Sequence, residues 1–367
     1  MIVKLPDICE IKTGKMDANH ATKDGKYRFY TCASNYSMCD TNSFSGPCVI
    51  VPGNGDIGLV FYYDGEFEAY QRTYVLQNIK INPKYLYYHL LYKWRYVNSD
   101  KQFGSTVRYV RMSNFTSYEL EVYSEEEQER IVTKIEELLS QLDDGVETFK
   151  KTKEQLKVYR QAVLQDAFKN CDEKILIRDI CEHVTDGDHM PPPKTNEGIP
   201  FIMISNIENN RINWNGTAFV GNEYFEAIDS KRKPQKGDIL YTVTGSFGIP
   251  VLVDFEKEFC FQRHIALLRP NDRILQKYFY YALQAPDVFA QASRGATGTA
   301  QKTVGLGVLR KIIIPYVDSL EKQNEIATEI ENRMSVCDYI EQTVNNALLQ
   351  AEALRQSILK KAFEGEL

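Results

Sequence analysis

The chain lacks most of what a membrane protein, a disulfide scaffold or an enzyme would show. In 367 residues, no apolar run reaches the roughly 18 residues of a membrane helix. The opening Met1-Ile2-Val3-Lys4-Leu5-Pro6-Asp7 has neither an apolar core nor a cleavage site, so no secretory leader is expected. The eight cysteines contain no C-x-x-C pair and read as reduced, mostly buried thiols of a cytoplasmic protein. Cys32, Cys39 and Cys48 are irregularly spaced with no second knuckle after them, so no metal site is expected. There is no G-x-x-x-x-G-K-[ST] phosphate loop, no G-x-S-x-G elbow and no H-E-x-x-H helix. The Asn/Asp-Pro-Pro-Tyr loop of aminomethylating DNA methylases is also missing, because the cluster Pro191-Pro192-Pro193 is followed by Lys194. Pro6-Asp7-x-x-Glu10-x-Lys12 looks like the acidic–basic triad of metal-dependent nucleases. Its Asp-to-Glu gap is too short for neighbouring strands, and the second copy, Asp179-Ile180-Cys181-Glu182-His183, drops the lysine. Catalytic residues are therefore expected to be absent. An excess of positive charge is lacking too. The 44 basic against 50 acidic residues leave −6, which argues against a simple polycationic nucleic-acid binder.

What the sequence does have is an internal repeat. Residues 124–168 align with 319–363 at a constant offset, and 16 of the 45 positions are identical. The identities include Gln128 and Gln323, Ile135-Glu136 and Ile330-Glu331, Arg160-Gln161 and Arg355-Gln356, and Ala167-Phe168 and Ala362-Phe363. The halves also begin alike, with Asp7-Ile8-Cys9-Glu10 recurring as Asp179-Ile180-Cys181-Glu182. In the first copy, Ile131, Ile135, Leu138, Leu142, Val146, Phe149, Leu156 and Val163 recur at helical spacing. In the second, Ile326, Ile330, Met334, Cys337, Ile340, Val344, Leu348, Ala351, Leu354 and Ile358 do so. Ser124 with Glu127 reads as a capping box, and Ser319 as a plain N-cap. Each copy predicts a helix of roughly 67 Å at 1.5 Å per residue. Such a helix cannot bury its apolar stripe alone. With a globular segment between the copies, antiparallel pairing of the two helices is expected. Ile131, Ile135, Leu138, Leu142, Ile326, Ile330, Ile340 and Leu348 are the candidate pairing and partner-docking residues.

The segments 5–123 and 177–318 hold nearly all the glycine and proline and are rich in β-formers. Strand-like runs are Cys48–Val51, Thr73–Leu76, Ile239–Thr242 and Ile265–Leu268, with helices near Lys84–Trp94 and Leu275–Gln284. An α+β class follows. The two segments are distant relatives. Gln71-Arg72 pairs with Gln262-Arg263, Gly55-x-x-Gly58 with Gly245-x-x-Gly248, and Lys84-Tyr85-Leu86-Tyr87-Tyr88 with Lys277-Tyr278-Phe279-Tyr280-Tyr281. His189, the prolines after it and the Asn-rich run 206–215 are private to the second segment. One scaffold with two loop sets suggests two ligands read in a fixed relation.

Charge is unevenly placed. Residues 124–170 carry 8 basic and 11 acidic residues, and residues 319–367 carry 5 and 9. The remainder is 31 against 30. Lys101 to Tyr118 contains no acid but has Lys101, Arg108 and Arg111; Val288 to Val317 contains none but has Arg294, Lys302, Arg310 and Lys311. Lys231-Arg232-Lys233 adds a patch. Basic loops rich in glycine, serine and threonine suit a phosphate backbone. The candidate DNA contacts are Gln71, Arg72, Lys101, Arg108, Arg111, His189, Lys231, Arg232, Ser246, Gln262, Arg263, His264, Arg294, Thr299, Gln301, Lys302 and Arg310. Of these, Gln71-Arg72 and Gln262-Arg263 read equally well as scaffold residues. His189 and His264 read as hydrogen-bonding contacts rather than bases.

Two divergent globular segments alternating with two near-copied helices resemble the specificity subunit of Type I restriction–modification systems. The Gln-x-x-Ile helix openings, the Arg-Gln…Ala-Phe helix endings, Gly187-Asp188-His189, Gly298-Thr299-Ala300-Gln301 and the closing Gly365-Glu366-Leu367 carry the resemblance. Thr13-Gly14-Lys15 departs from it. The resemblance implies an α+β fold with a pseudo-twofold repeat. Target recognition domains at 1–123 and 173–318 would be separated by long helices at 124–172 and 319–367, packed as an antiparallel coiled coil. It implies a non-catalytic chain that reads a bipartite target in double-stranded DNA. The chain would hold two methyltransferase subunits, with restriction subunits joining, and no membrane is involved. S-adenosylmethionine, ATP and Mg²⁺ would belong to the partners. The residues alone also fit a two-chain Type II recognition chain or a coiled-coil protein adaptor.

Overall fold

A computed structural model describes all residues except Ser105, Asp172, Met190, Pro191 and Leu367. Pro191, the boundary residue Asp172 and the terminal Leu367, all named above, lie outside the described residues. The chain divides into two compact units, Met1–Lys150 with Asn345–Leu367, and Lys151–Val344.

In the first unit, Ile2–Lys4 pairs antiparallel with Glu119–Glu121, tying the start of the globular segment to its end. The short helix Leu5–Ile8 follows. A four-stranded antiparallel sheet then runs in the order Glu10–Thr13, Thr73–Gln77, Pro47–Pro52, Phe61–Asp64. A second sheet places Tyr27–Tyr30 between Ser37–Cys39, antiparallel, and Phe67–Ala69, parallel. The four-stranded sheet supplies Val49, Val51 and Leu76 to a core that Leu86, Leu90 and Trp94 complete from the helix Pro83–Asn98.

The second unit repeats this plan. Glu173–Leu176 pairs with Ile313–Tyr316, and the helix Ile177–Ile180 follows. The four-stranded sheet has the order Cys181–Asp186, Ile265–Pro270, Ile239–Thr242, Pro250–Leu252. The second sheet contains Ile199–Ile202 parallel to Cys260–Phe261. Gly14 and Gly187 occupy the same crossing between the sheets. A Cβ there would sit 2.0 Å from the carbonyl oxygen of Ala69 or Phe261, so only glycine fits. Asp7 and Glu10 are occupied as scaffold. Asp7 accepts the Lys4 N–H at 2.9 Å, and Glu10 accepts from Gln77 and Asn78.

The long helices are Glu125–Ala167 and Leu320–Glu364. Ser124 Oγ accepts the Glu127 N–H and Ser319 Oγ the Lys322 N–H, both at 3.3 Å. Glu127 does not complete a capping box in the expected way, because its carboxylate is turned to Arg130. Within the first unit, Ile131, Ile135 and Leu139 pack on Ile358, Leu359 and Ala362. Within the second, Val163 and Leu164 pack with Ala327 and Ile330. Partners fall in number along one helix as they rise along the other, so the pairing is antiparallel. Ile131, Ile135 and Ile330 are buried, and Leu138, Leu142, Ile326, Ile340 and Leu348 are half-buried. Leu354 corrects the expected stripe: it is 50% exposed. At about 100° per residue it lies some 60° off Ala351, while Arg355 lies about 40° to the other side and turns inward to Asp143.

A matched set of contacts docks each globular part on the helix pair. Gln128 Oε1 accepts the N–H of Asn82, the N-cap of Pro83–Asn98, at 2.9 Å; Gln323 Oε1 accepts the N–H of Leu275, the N-cap of Gln276–Ala282, at 2.8 Å. Lys84 pairs with Glu136 at 2.7 Å and Lys277 with Glu331 at 2.8 Å. Tyr85 stands edge-on to Phe363, and Tyr278 edge-on to Phe168. The repeated sequence pieces are thus the repeated joints.

Candidate nucleic-acid interface

Each unit carries a short hairpin ahead of its closing strand. Phe103 and Tyr109 exchange backbone hydrogen bonds of 3.0 and 2.9 Å, and Thr297 and Thr303 exchange bonds of 2.9 and 2.7 Å. Gly104 at φ 88° and Gly298 at φ 111° make the turns in left-handed backbone. Arg108 and Lys302 hold the same place on the two hairpins, and both are exposed. Their carbonyls accept the N–H of Gly55 at 3.1 Å and of Gly245 at 3.0 Å, which clamps each hairpin to a glycine loop. The two acid-free stretches therefore converge on one structural position.

The neighbouring turn corrects one sequence pairing. Gln71 N–H donates to Met16 O, and it is Arg263 N–H that donates to the matching Asp188 O. Arg72 O accepts from Gly53 as His264 O accepts from Val243. Gln71-Arg72 thus corresponds to Arg263-His264, one residue on from Gln262-Arg263. The backbone hydrogen bonds of the turn set the register, whereas the sequence match followed side-chain names. Gln71, Arg72 and Arg263 are exposed, and Gln262 and His264 are half-buried.

In the second unit a cleft of about 400 Å³ brings His189, Arg263, His264 and Gln301 together with Asp186 and Thr244. Burial, and then the charge of Arg263, hold the His264 pKa below its ordinary value, so that ring stays neutral. Asp186 accepts from His189 Nε2 at 2.9 Å and from Arg232 at 3.4 Å. Sequence reasoning passed over Asp186 and Thr244. The Asp186-x-x-His189 spacing was the available signal for the first.

The other candidates are spread around these features. Arg111 lies 4.1 Å over the Phe103 ring and donates to the Tyr109 hydroxyl at 3.0 Å, stiffening the first hairpin. Lys101, Lys231, Ser246, Arg294 and Thr299 are exposed. Arg310 is exposed, yet its guanidinium donates to Val184 O at 2.6 Å, which ties it to the four-stranded sheet. Among the described residues, no group of three His, Cys, Asp or Glu side chains is placed to hold a metal ion, and no helix is long and apolar enough to cross a membrane.

Comparison with known proteins places this architecture. The family model described as the Type I restriction modification DNA specificity domain matches residues 1–158 and 173–350. The specificity subunit of the Type I restriction enzyme EcoDI from Escherichia coli is 28% identical, with 100% of this chain and 88% of that protein covered. A putative type I specificity subunit from Mycoplasma pneumoniae is 27% identical, with 89% and 87% covered. Among solved structures, a chain from work on complex assembly and conformational transition of the type I R-M system shares the fold. Its TM-score is 0.77 at 16% identity, covering 100% of this chain and 98% of that one. The HsdS subunit from Thermoanaerobacter tengcongensis superposes at TM-score 0.54 and 16% identity, covering 100% and 97%. With two separate matches spanning both halves, the chain belongs to the Type I restriction modification DNA specificity family.

Proposed function

We propose that this chain is the sequence reader of a Type I restriction–modification complex. Residues 1–123 and 173–318 each read one half of a bipartite, asymmetric DNA target, and the long helices at 124–172 and 319–367 set the gap. One observation carries the reading: the same hairpin, with a cation at the same place, occurs once in each unit beside loops that otherwise differ. Arg108 and Lys302 hold phosphates, fixing register without reading sequence, and the differing loops around them meet base edges.

The acidic helices serve protein docking. Tyr159 and Leu354, at matching positions of the helical repeat, are 45% and 50% exposed and put one large side chain on the surface of each unit. Two copies of a methyltransferase fit this repeat, one per unit, and restriction subunits complete the cytoplasmic assembly. Methyl transfer from S-adenosylmethionine, and cleavage with ATP and Mg²⁺, belong to those partners. The test is to map methylated sites in cells expressing the methyltransferase with and without this chain. Methylation at one bipartite sequence only when the chain is present is expected; methylation at the same sites without it would remove the chain as reader.

A further inference from the structure

The second unit holds a side-chain arrangement that the first has no means to make. Asp186 closes the strand Cys181–Asp186, where it stands opposite Ala266; the equivalent place opposite Tyr74 is Thr13. The Asp186 carboxylate is 17% exposed and joins two elements. One oxygen accepts from His189 Nε2 at 2.9 Å, and the other from Arg232 at 3.4 Å. Thr185, the preceding residue, donates to Lys231 O at 3.3 Å and fastens the Arg232 segment to the same strand. His189 itself is 59% exposed and shares its cleft with Gln301, which sits next to Lys302 on the hairpin.

Resting on the DNA-reading role proposed above, the geometry points to Asp186 as a positioning residue that makes His189 a specificity determinant of the second half-site. A carboxylate only accepts, so it fixes the proton on Nε2 and leaves Nδ1 as the ring nitrogen turned to a ligand. In that tautomer Nδ1 is an acceptor and matches a base edge bearing an exocyclic amine, adenine N6 or cytosine N4 in the major groove. Arg232, held on the other oxygen, keeps the carboxylate from turning away. Thr13 offers a hydroxyl that both donates and accepts, not a carboxylate that would fix a tautomer, so the first half-site is read by other means.

The experiment uses the full chain assembled with its methyltransferase, presented with a duplex library randomised across the target. Asp186→Asn and His189→Ala are each expected to lower the preference at the same single base pair of one half-site by about tenfold. The double variant is expected to lose no more than either single one, and the other half-site to keep its full preference. A purely architectural Asp186 would instead weaken all sequences alike and add to the loss from His189→Ala. That result, or an unchanged preference in His189→Ala, overturns the proposal while leaving the chain a DNA reader. His189 is exposed, so its alanine variant tests the idea even if Asp186→Asn fails to fold. An unmodified complex that selects no sequence at all overturns the reading role itself.

Discussion

Arg160 is bonded to Asp338 across the helix pair at 2.7 Å, and Arg355 is bonded to Asp143 in the same way. The sequence offset that carries Arg160 onto Arg355 also carries Asp143 onto Asp338. One ion pair is therefore made twice, with the helices exchanging donor and acceptor. Only an antiparallel pair of repeated helices satisfies this. Arg160 is also paired with Glu341 at 2.9 Å, so the exchange is made at the other copy: swapping Arg355 and Asp143 in a double variant should restore most of what each single variant loses. The coupling should be about 1 kcal/mol or less, as for half-exposed pairs, and would be read by urea unfolding in a double-mutant cycle.

The buried glutamines are expected to matter more than the ion pairs. Gln323 is fully buried, accepts from Leu275 N–H and donates to Val317 O at 2.8 Å and Arg273 O at 3.0 Å. Gln323→Ala strands these backbone groups away from water and should cost about 1–3 kcal/mol. Gln128→Ala should behave alike in the first unit. Equal unfolding midpoints for Gln323→Ala and the unchanged chain would show that the joint is not loaded.

His89 gives the first unit an acid-sensitive core. It is buried against Tyr85, Tyr118 and Phe363, and burial, with Lys93 adding to it, pushes its pKa down to about 3. The folded state holds the ring neutral while the unfolded state takes up a proton near the ordinary value of about 6.5. Its contribution is present above that value and is lost as pH falls from about 6.5 towards 3, by up to about 1.4 kcal/mol per pH unit. His89→Leu should flatten this limb of the stability–pH curve. A curve of unchanged slope would assign the acid sensitivity elsewhere.

Arg108→Ala and Lys302→Ala should each weaken binding to all duplexes about equally and lower the salt dependence of binding by about one counterion. Titrations at several salt concentrations measure this. Loss of preference at one base pair, with the salt slope intact, would make them readers rather than phosphate contacts.

The helices and their pairing were legible in the sequence because they repeat in a single unbroken frame and their apolar spacing is periodic. The four strand runs named from sequence all lie in the two four-stranded sheets, where burial on both faces, broken only at the half-buried Tyr74, leaves a run of mostly apolar residues. The second sheet of each unit went unread. Its strands are two to four residues long, and its parallel pairings join segments far apart in sequence. The one-residue slip at Gln262-Arg263 has the same origin, since turn register is set by backbone hydrogen bonds that side-chain identity does not report. The convergence of Arg108 with Lys302 was half legible: the charge pattern located both stretches, and the hairpin geometry aligned them. The Asp186-x-x-His189 spacing hinted at that pair, and the fold supplied its geometry, because the carboxylate lies at the end of a strand and the imidazole in the loop beyond it.

That each of the two repeated segments reads one half of the target is tested most directly by exchanging residues 177–318 for those of a relative with a different target. Methylated sites mapped across a genome should keep one half of the original bipartite sequence, replace the other half, and preserve the gap between them. A target altered in both halves, or in neither, would contradict the account.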